Sequence, residues 1–160
     1  MEKPDFVYVI FIEASPEAIW EGLTSPDFTE KYWGGLRIHS TWEAGAPVRH
    51  LRGDVVGLQG EVLEADPPRR LSYTFHMSMS PAHQADPPSR VTFEIEQLGG
   101  MSKLTLRHHH ERAGSTTEET TSHGWPAILS SLKSLLETGK PLPFTGLGFG
   151  PSDAGREGTR

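Results

Sequence analysis

The chain has 160 residues, of which 35% are hydrophobic, 9% aromatic and 22% charged, a composition typical of one globular domain and too apolar for a wholly disordered chain. Its formal net charge of −6 argues against a nucleic-acid partner, because binding to phosphates requires a clustered positive field. The absence of cysteine excludes a disulfide framework and a thiolate metal site. With neither a secretion signal nor an apolar segment long enough to span a bilayer, we expect a cytoplasmic protein without membrane insertion.

The N-terminal part of the chain predicts one strand followed by two short helices. Residues 6–12 are almost all β-branched or aromatic, and the run is too short for a buried helix, so it indicates a strand. Ser15 and Pro16 are typical of a helix start, with Ser15 as the N-cap. A second helix is predicted to open at Pro26 and to end before Gly34 and Gly35, where a left-handed residue costs least.

Residues 36–112 have the pattern of an antiparallel meander. Weak strand candidates lie at 36–41 and 48–53, and a clearer one at 60–65 precedes a stiff Asp-Pro-Pro corner. Further strands alternate, with a hairpin turn predicted at 98–100. Their large apolar residues share one face, which needs a cover: Tyr73, Phe75, Met77, Val91, Phe93, Ile95, Leu104 and Leu106.

A long C-terminal helix is predicted to supply this cover. Apolar residues recur there at helical spacing up to Gly139, where a helix would stop: Trp125, Ile128, Leu129, Leu132, Leu135 and Leu136. Pro126 predicts that the helix either starts near residues 122–125 or is kinked there. Residues 140–160 have no periodicity and are rich in glycine and proline, so we expect a flexible tail after a single domain of residues 1–139.

The order strand, two helices, many strands and long helix predicts an α+β, helix-grip fold with about six or seven antiparallel strands curved around the C-terminal helix. Sequence motifs lie in segments 14–26, 32–35, 60–71 and 89–95 and in the helix that follows Gly124. In these segments, and over residues 7–137 as a whole, the chain resembles the family of homologues of the activator of the 90-kDa heat-shock protein ATPase, within the START and Bet v 1-like (SRPBCC) superfamily.

The resemblance implies an apolar cavity between sheet and helix that binds a hydrophobic small molecule. The alternative from the residues alone is that the same side chains fill a packed core. Trp33 is expected at the cavity rim. The candidate ligand-binding residues are Trp33, Tyr73, Phe75, Met77, Phe93, Leu106, His108, His110, Trp125 and Leu129.

The run of histidines at 108–110 is the most conspicuous polar feature of the sequence. On a strand His108 and His110 point inward, whereas His109 points out. Such imidazoles could anchor a ligand, move protons, bind a metal or simply be solvated at the end of the strand. A metal would need a third ligand such as His76 or His123, which no spacing requires. We therefore predict no metal site.

Three functions remain open at this level. A non-catalytic binding module is favoured, because nucleophile elbows, phosphate loops and dinucleotide motifs are all absent and no cofactor is expected. The alternatives are a cyclase-like or hydrolase-like enzyme that uses His108, His110 or Tyr73 as acid or base, and a chaperone ATPase-activating module. Val7, Val9 and Phe11 share the outer face of the first strand and could mark a homodimer contact.

Overall fold

The computed structural model describes residues 5–143, which form a curved antiparallel sheet around a long C-terminal helix. The predicted α+β, helix-grip fold is therefore confirmed. The helices are α1 (Pro16–Thr24), α2 (Pro26–Tyr32), α3 (Pro81–Gln84) and α4 (Thr116–Thr138). The strands are β1 (Phe6–Ile12), β2 (Arg37–His39), β3 (Pro47–Arg52), β4 (Val55–Asp66), β5 (Arg70–Met77), β6 (Ser89–Leu98) and β7 (Met101–His109).

The seven strands follow the order β1-β7-β6-β5-β4-β3-β2, so the first strand pairs with the last and lies at one edge. All neighbours are antiparallel. Gly99 and Gly100 join β6 to β7, and Gly99 has a φ of 62°, as a tight hairpin turn requires. β4 begins at Val55, five residues before the predicted start, and α3 was not predicted.

The sheet bends where β4 passes β5. A Cβ atom at Gly60 would lie 1.8 Å from the carbonyl oxygen of Thr74, which no side chain could tolerate without movement of the backbone. The hydroxyl of Thr74 accepts a hydrogen bond of 2.8 Å from the backbone N–H of Glu61, and the register shifts between Val62 and Glu64. Glycine therefore permits the close approach that curves the sheet.

The two short helices form as predicted and are joined through a buried hydroxyl. Ser15 caps α1 by accepting a hydrogen bond of 3.1 Å from the backbone N–H of Ala18. Tyr32, at the end of α2, donates to the carbonyl oxygen of Gly22 at 2.8 Å. This bond fixes α2 against α1 and so sets the position of the residue that follows, Trp33.

Helix α4 starts at Thr116 and runs through Pro126, so of the two predicted alternatives the start near residues 122–125 is wrong. Its first turn is held by groups outside the helix: Ser115 accepts from the N–H of Glu118 at 3.1 Å, and the buried carboxylate of Asp86 accepts from the N–H of Thr117 at 2.7 Å. Burial raises the pKa of Asp86, but the bonds from Thr117 and the charge of Arg112 outweigh it and leave the pKa below its ordinary value.

Helix α4 ends as predicted, with Gly139 at a φ of 85°. Within residues 5–143, every helix is too short or too polar to cross a lipid bilayer. Residues 144–160, most of the predicted tail, lie outside the described residues.

Candidate functional site

Aromatic rings from the sheet and from α4 pack against one another in the interior. The ring centroid of Trp125, on α4, lies 5.1 Å from that of Trp33 and 5.9 Å from those of Phe75 on β5 and Phe93 on β6. We call the following seven residues the interior ring cluster; each has a relative exposure of 1% or less: Trp33, His50, Tyr73, Phe75, Phe93, His108 and Trp125.

All ten residues predicted from the sequence to bind a ligand point into the interior. Trp33, predicted at the rim, is in fact 1% exposed, because its ring packs edge-on between those of His50 and Trp125. His110 is the most exposed of the ten at 8%. The half-buried Trp42 lies nearer the surface, with its ring centroid 6.0 Å from that of Tyr73.

His108 belongs to a hydrogen-bond chain that links α4 to the sheet. The indole N–H of Trp125 donates to Nδ1 of His108 at 2.9 Å. Because an indole nitrogen only donates, Nδ1 must accept, so the ring proton lies on Nε2. Nε2 then donates to the hydroxyl of Ser89 at 2.7 Å, and this hydroxyl donates to the carbonyl oxygen of Phe75 at 2.9 Å.

These hydrogen bonds use both ring nitrogens of His108, and the residue is completely buried. Burial, with the neighbouring imidazoles of His110 and His109, lowers its pKa well below the ordinary value, so the ring is neutral. The ring of His110 stacks on it at 4.0 Å between centroids. His108 therefore has no free proton or lone pair to act as the acid or base that the enzymatic alternative requires.

His50 is the residue of this site that the sequence reasoning missed. It lies on β3 and is 1% exposed, yet neither ring nitrogen has a hydrogen-bond partner among residues 5–143. Its ring centroid is 4.8 Å from that of Trp33 and 6.2 Å from that of Tyr73. The sequence did contain a signal for His50. Val48 and His50 are two residues apart on a strand, so their side chains share a face, and a buried valine therefore predicts a buried histidine.

Tyr73 brings a phenol into the same interior. Its side chain is 1% exposed, and burial raises its pKa well above the ordinary value, so the hydroxyl keeps its proton at any physiological pH. It is therefore a hydrogen-bonding group rather than a base. Trp42, which packs on it, has a φ of 60°, a backbone conformation that costs a bulky residue energy and is found disproportionately near functional sites.

The outer face of the sheet carries charged side chains that form ion pairs. Glu94 binds Arg70 at 2.7 Å and Arg107 at 3.3 Å, and these side chains are 40–51% exposed. Pairs of this kind contribute little to stability because water screens them. Across residues 5–143, no three histidines or carboxylates are grouped so that they could hold a metal ion.

Comparison with known proteins identifies a family whose model matches most of the chain. A family model described as "Activator of Hsp90 ATPase homolog 1-like protein" matches residues 13–137. No protein of curated function matches the sequence.

Several solved structures share the architecture. The Aha1 dimer from Colwellia psychrerythraea is 21% identical with a TM-score of 0.69, over 85% of this chain and 98% of that chain. Protein MLL2253 from Mesorhizobium loti is 27% identical with a TM-score of 0.67, over 82% of this chain and 97% of that chain. DynU16, from the dynemicin biosynthetic locus, is 21% identical with a TM-score of 0.71, over 88% of this chain and 49% of that chain.

Proposed function

Since the chain belongs to the Activator of Hsp90 ATPase homolog 1-like family, we propose that it binds an apolar small molecule between its sheet and helix α4, at the interior ring cluster. The similarity of the fold to DynU16, from the dynemicin biosynthetic locus, supports this proposal. The cysteine-free composition fits action in a reducing compartment, which we take to be the cytoplasm.

The proposal is based on a buried polar side chain in the interior that has no hydrogen-bond partner within residues 5–143. A buried polar group without a partner costs about 1–3 kcal/mol, so a core that only has to pack would not keep one. Within residues 5–143 His50 is such a group, whereas Val48, which lies on the same strand face, is apolar and equally buried. A ligand that reaches His50 would recover this cost, and the surrounding rings provide the apolar walls that small-molecule sites have.

Binding at the interior ring cluster predicts a thermal shift. A ligand at about 100 times its dissociation constant should stabilise the protein by about 2.7 kcal/mol and raise its melting temperature. The measurement is differential scanning fluorimetry with a panel of apolar probes, from naphthalene-sized aromatics to a steroid, together with native mass spectrometry of the purified protein for a molecule that co-purifies.

Two matched variants locate the site. Trp33→Phe removes an indole from the interior ring cluster and should weaken the binding of every probe that shifts the melting temperature. Trp20→Phe makes the same change on α1, at a half-buried residue outside the cluster, and should leave binding unchanged. A panel that shifts nothing, with no co-purifying molecule, would remove the proposed function.

Strand β1 supports a second proposal, that two copies of the chain pair along this edge. The side chains of Val7, Val9 and Phe11 are 41–47% exposed, and residues 6–12 contain no charge that would protect the edge. Lys133 donates to the carbonyl oxygen of Phe11 at 2.7 Å, so this carbonyl points away from β7. By the alternation of the strand, the backbone groups of Val7 and Val9 also point away from β7 and can pair with a second β1.

The homodimer is tested by a charge at the centre of this edge. Val9→Lys should convert a dimer into a monomer, because two lysines would meet across the symmetric contact. Val55→Lys places the same charge at an apolar residue that is 68% exposed elsewhere on the sheet, and it should leave the mass unchanged. Sedimentation equilibrium measures both. A wild-type protein that is monomeric at high micromolar concentration contradicts the proposal, which the dimeric Aha1 from Colwellia supports.

A further inference from the structure

The side chains and rings that pack directly against His50 are uncharged. In the sheet it is paired with Ile38 on β2 and Leu58 on β4, both of which are buried. The rings nearest to it belong to Trp33, edge-on at 4.8 Å, to Tyr73 at 6.2 Å and to Phe75 at 6.4 Å. None of these groups carries a formal charge that could pair with a charged ligand.

The imidazole of His50 is neutral. Burial lowers its pKa to about 3, and the charge of His39 adds to this effect. A neutral imidazole has one N–H donor and one acceptor nitrogen. A hydroxyl group matches either of these, and a carbonyl oxygen matches the donor, whereas an ammonium or carboxylate would be desolvated among aromatic rings without an opposite charge.

His108 shows what a structural histidine looks like in the same cluster. Its two nitrogens are satisfied by Trp125 and Ser89, and the resulting chain joins α4 to three strands. The ring of His50 is equally buried, yet its nitrogens have no such partners in residues 5–143. The difference indicates that the hydrogen-bond partner of His50 is not supplied by residues 5–143.

We propose that His50 is the polar anchor of this interior site, and that the ligand is an uncharged apolar molecule with a hydroxyl or carbonyl oxygen. This inference rests on the proposed function and adds to it the chemical class of the ligand. The contact is a hydrogen bond between that oxygen and a ring nitrogen of His50. The apolar part of the molecule then contacts the rings of Trp33, Tyr73 and Phe75.

The experiment compares probes that differ by one hydroxyl group. Isothermal titration calorimetry measures the affinity of the full chain for benzene and phenol, and for naphthalene and 2-naphthol. Water solvates the hydroxyl and so opposes its transfer into an apolar site, which means that a preference for phenol or 2-naphthol requires a hydrogen-bonding partner there. The proteins compared are the wild type, His50→Leu and His50→Gln.

We expect the wild type to bind each hydroxylated probe at least about tenfold more tightly than its hydrocarbon, which corresponds to one buried hydrogen bond. His50→Leu should reduce this preference to less than about threefold, and His50→Gln, which keeps a donor and an acceptor, should restore it in part. The leucine variant should fold, because replacing an unpaired buried polar group with an apolar one of similar size is close to neutral or stabilising.

The outcomes separate this inference from the function on which it rests. If hydrocarbon and hydroxylated probes bind the wild type equally, or if the preference survives in His50→Leu, the role of His50 is wrong while the binding function stands. If none of the four probes binds, the role of His50 is wrong, and the binding function itself fails only if the wider probe panel and native mass spectrometry also find no ligand. A change in the ¹⁵N shifts of the His50 ring with 2-naphthol but not with naphthalene would support the contact directly.

Discussion

Replacement of Trp125 by alanine should lower the free energy of unfolding by about 4–6 kcal/mol. Truncation of a buried tryptophan costs about 3–5 kcal/mol in lost contacts and residual cavity, and here it also leaves Nδ1 of His108 buried without its donor, which adds about 1 kcal/mol or more. Trp125 is completely buried and contacts the rings of Trp33, Phe75 and Phe93. Urea denaturation followed by circular dichroism measures the loss.

Trp125→Phe provides the matched control. It keeps most of the ring contacts but removes the indole donor, so its loss should be about 1–3 kcal/mol and clearly smaller than that of the alanine variant. A loss below about 2 kcal/mol for Trp125→Ala would mean that α4 is not packed on the sheet through this side chain.

Gly60→Ala should destabilise the protein by about 3 kcal/mol, an unusually large cost for the addition of one methyl group. The new Cβ would meet the carbonyl oxygen of Thr74 at 1.8 Å and its carbonyl carbon at 2.5 Å, and both belong to the backbone, so the strand itself has to shift. Thermal or urea denaturation gives the change.

Gly57→Ala makes the same substitution three residues earlier on β4. Its Cβ would lie 3.5 Å from a methyl carbon of Leu36, which is ordinary contact, so we expect a change of less than about 1 kcal/mol. Equal effects at the two positions would show that the cost at Gly60 comes from glycine's place in a strand, not from the contact with Thr74.

Sequence patterns predicted the fold best where one face of a strand is buried and the other is solvated. β5, β6 and β7 meet this condition, and their inward faces were all correctly predicted. The first turns of α4 were missed because residues 116–122 are mainly polar and carry no hydrophobic period. They are held instead by Ser115 and by Asp86, a residue distant in sequence.

The interior site was predicted in part, since apolar periodicity identifies inward faces but not hydrogen-bond partners. It placed His108 inside correctly, but the bonds of this residue to Trp125 and Ser89 depend on the packing of α4 against two strands. It missed His50 because β3 is short and its alternation covers only Val48 and His50 on the buried face.

The chain of hydrogen bonds from Trp125 through His108 and Ser89 to the carbonyl of Phe75 pins the middle of α4 to the sheet. Each bond has a fixed direction, so the helix can neither roll about its axis nor slide along the sheet without breaking at least one of them. Any movement of α4 relative to β5, β6 and β7 is therefore coupled to the positions of Trp125, His108 and Ser89.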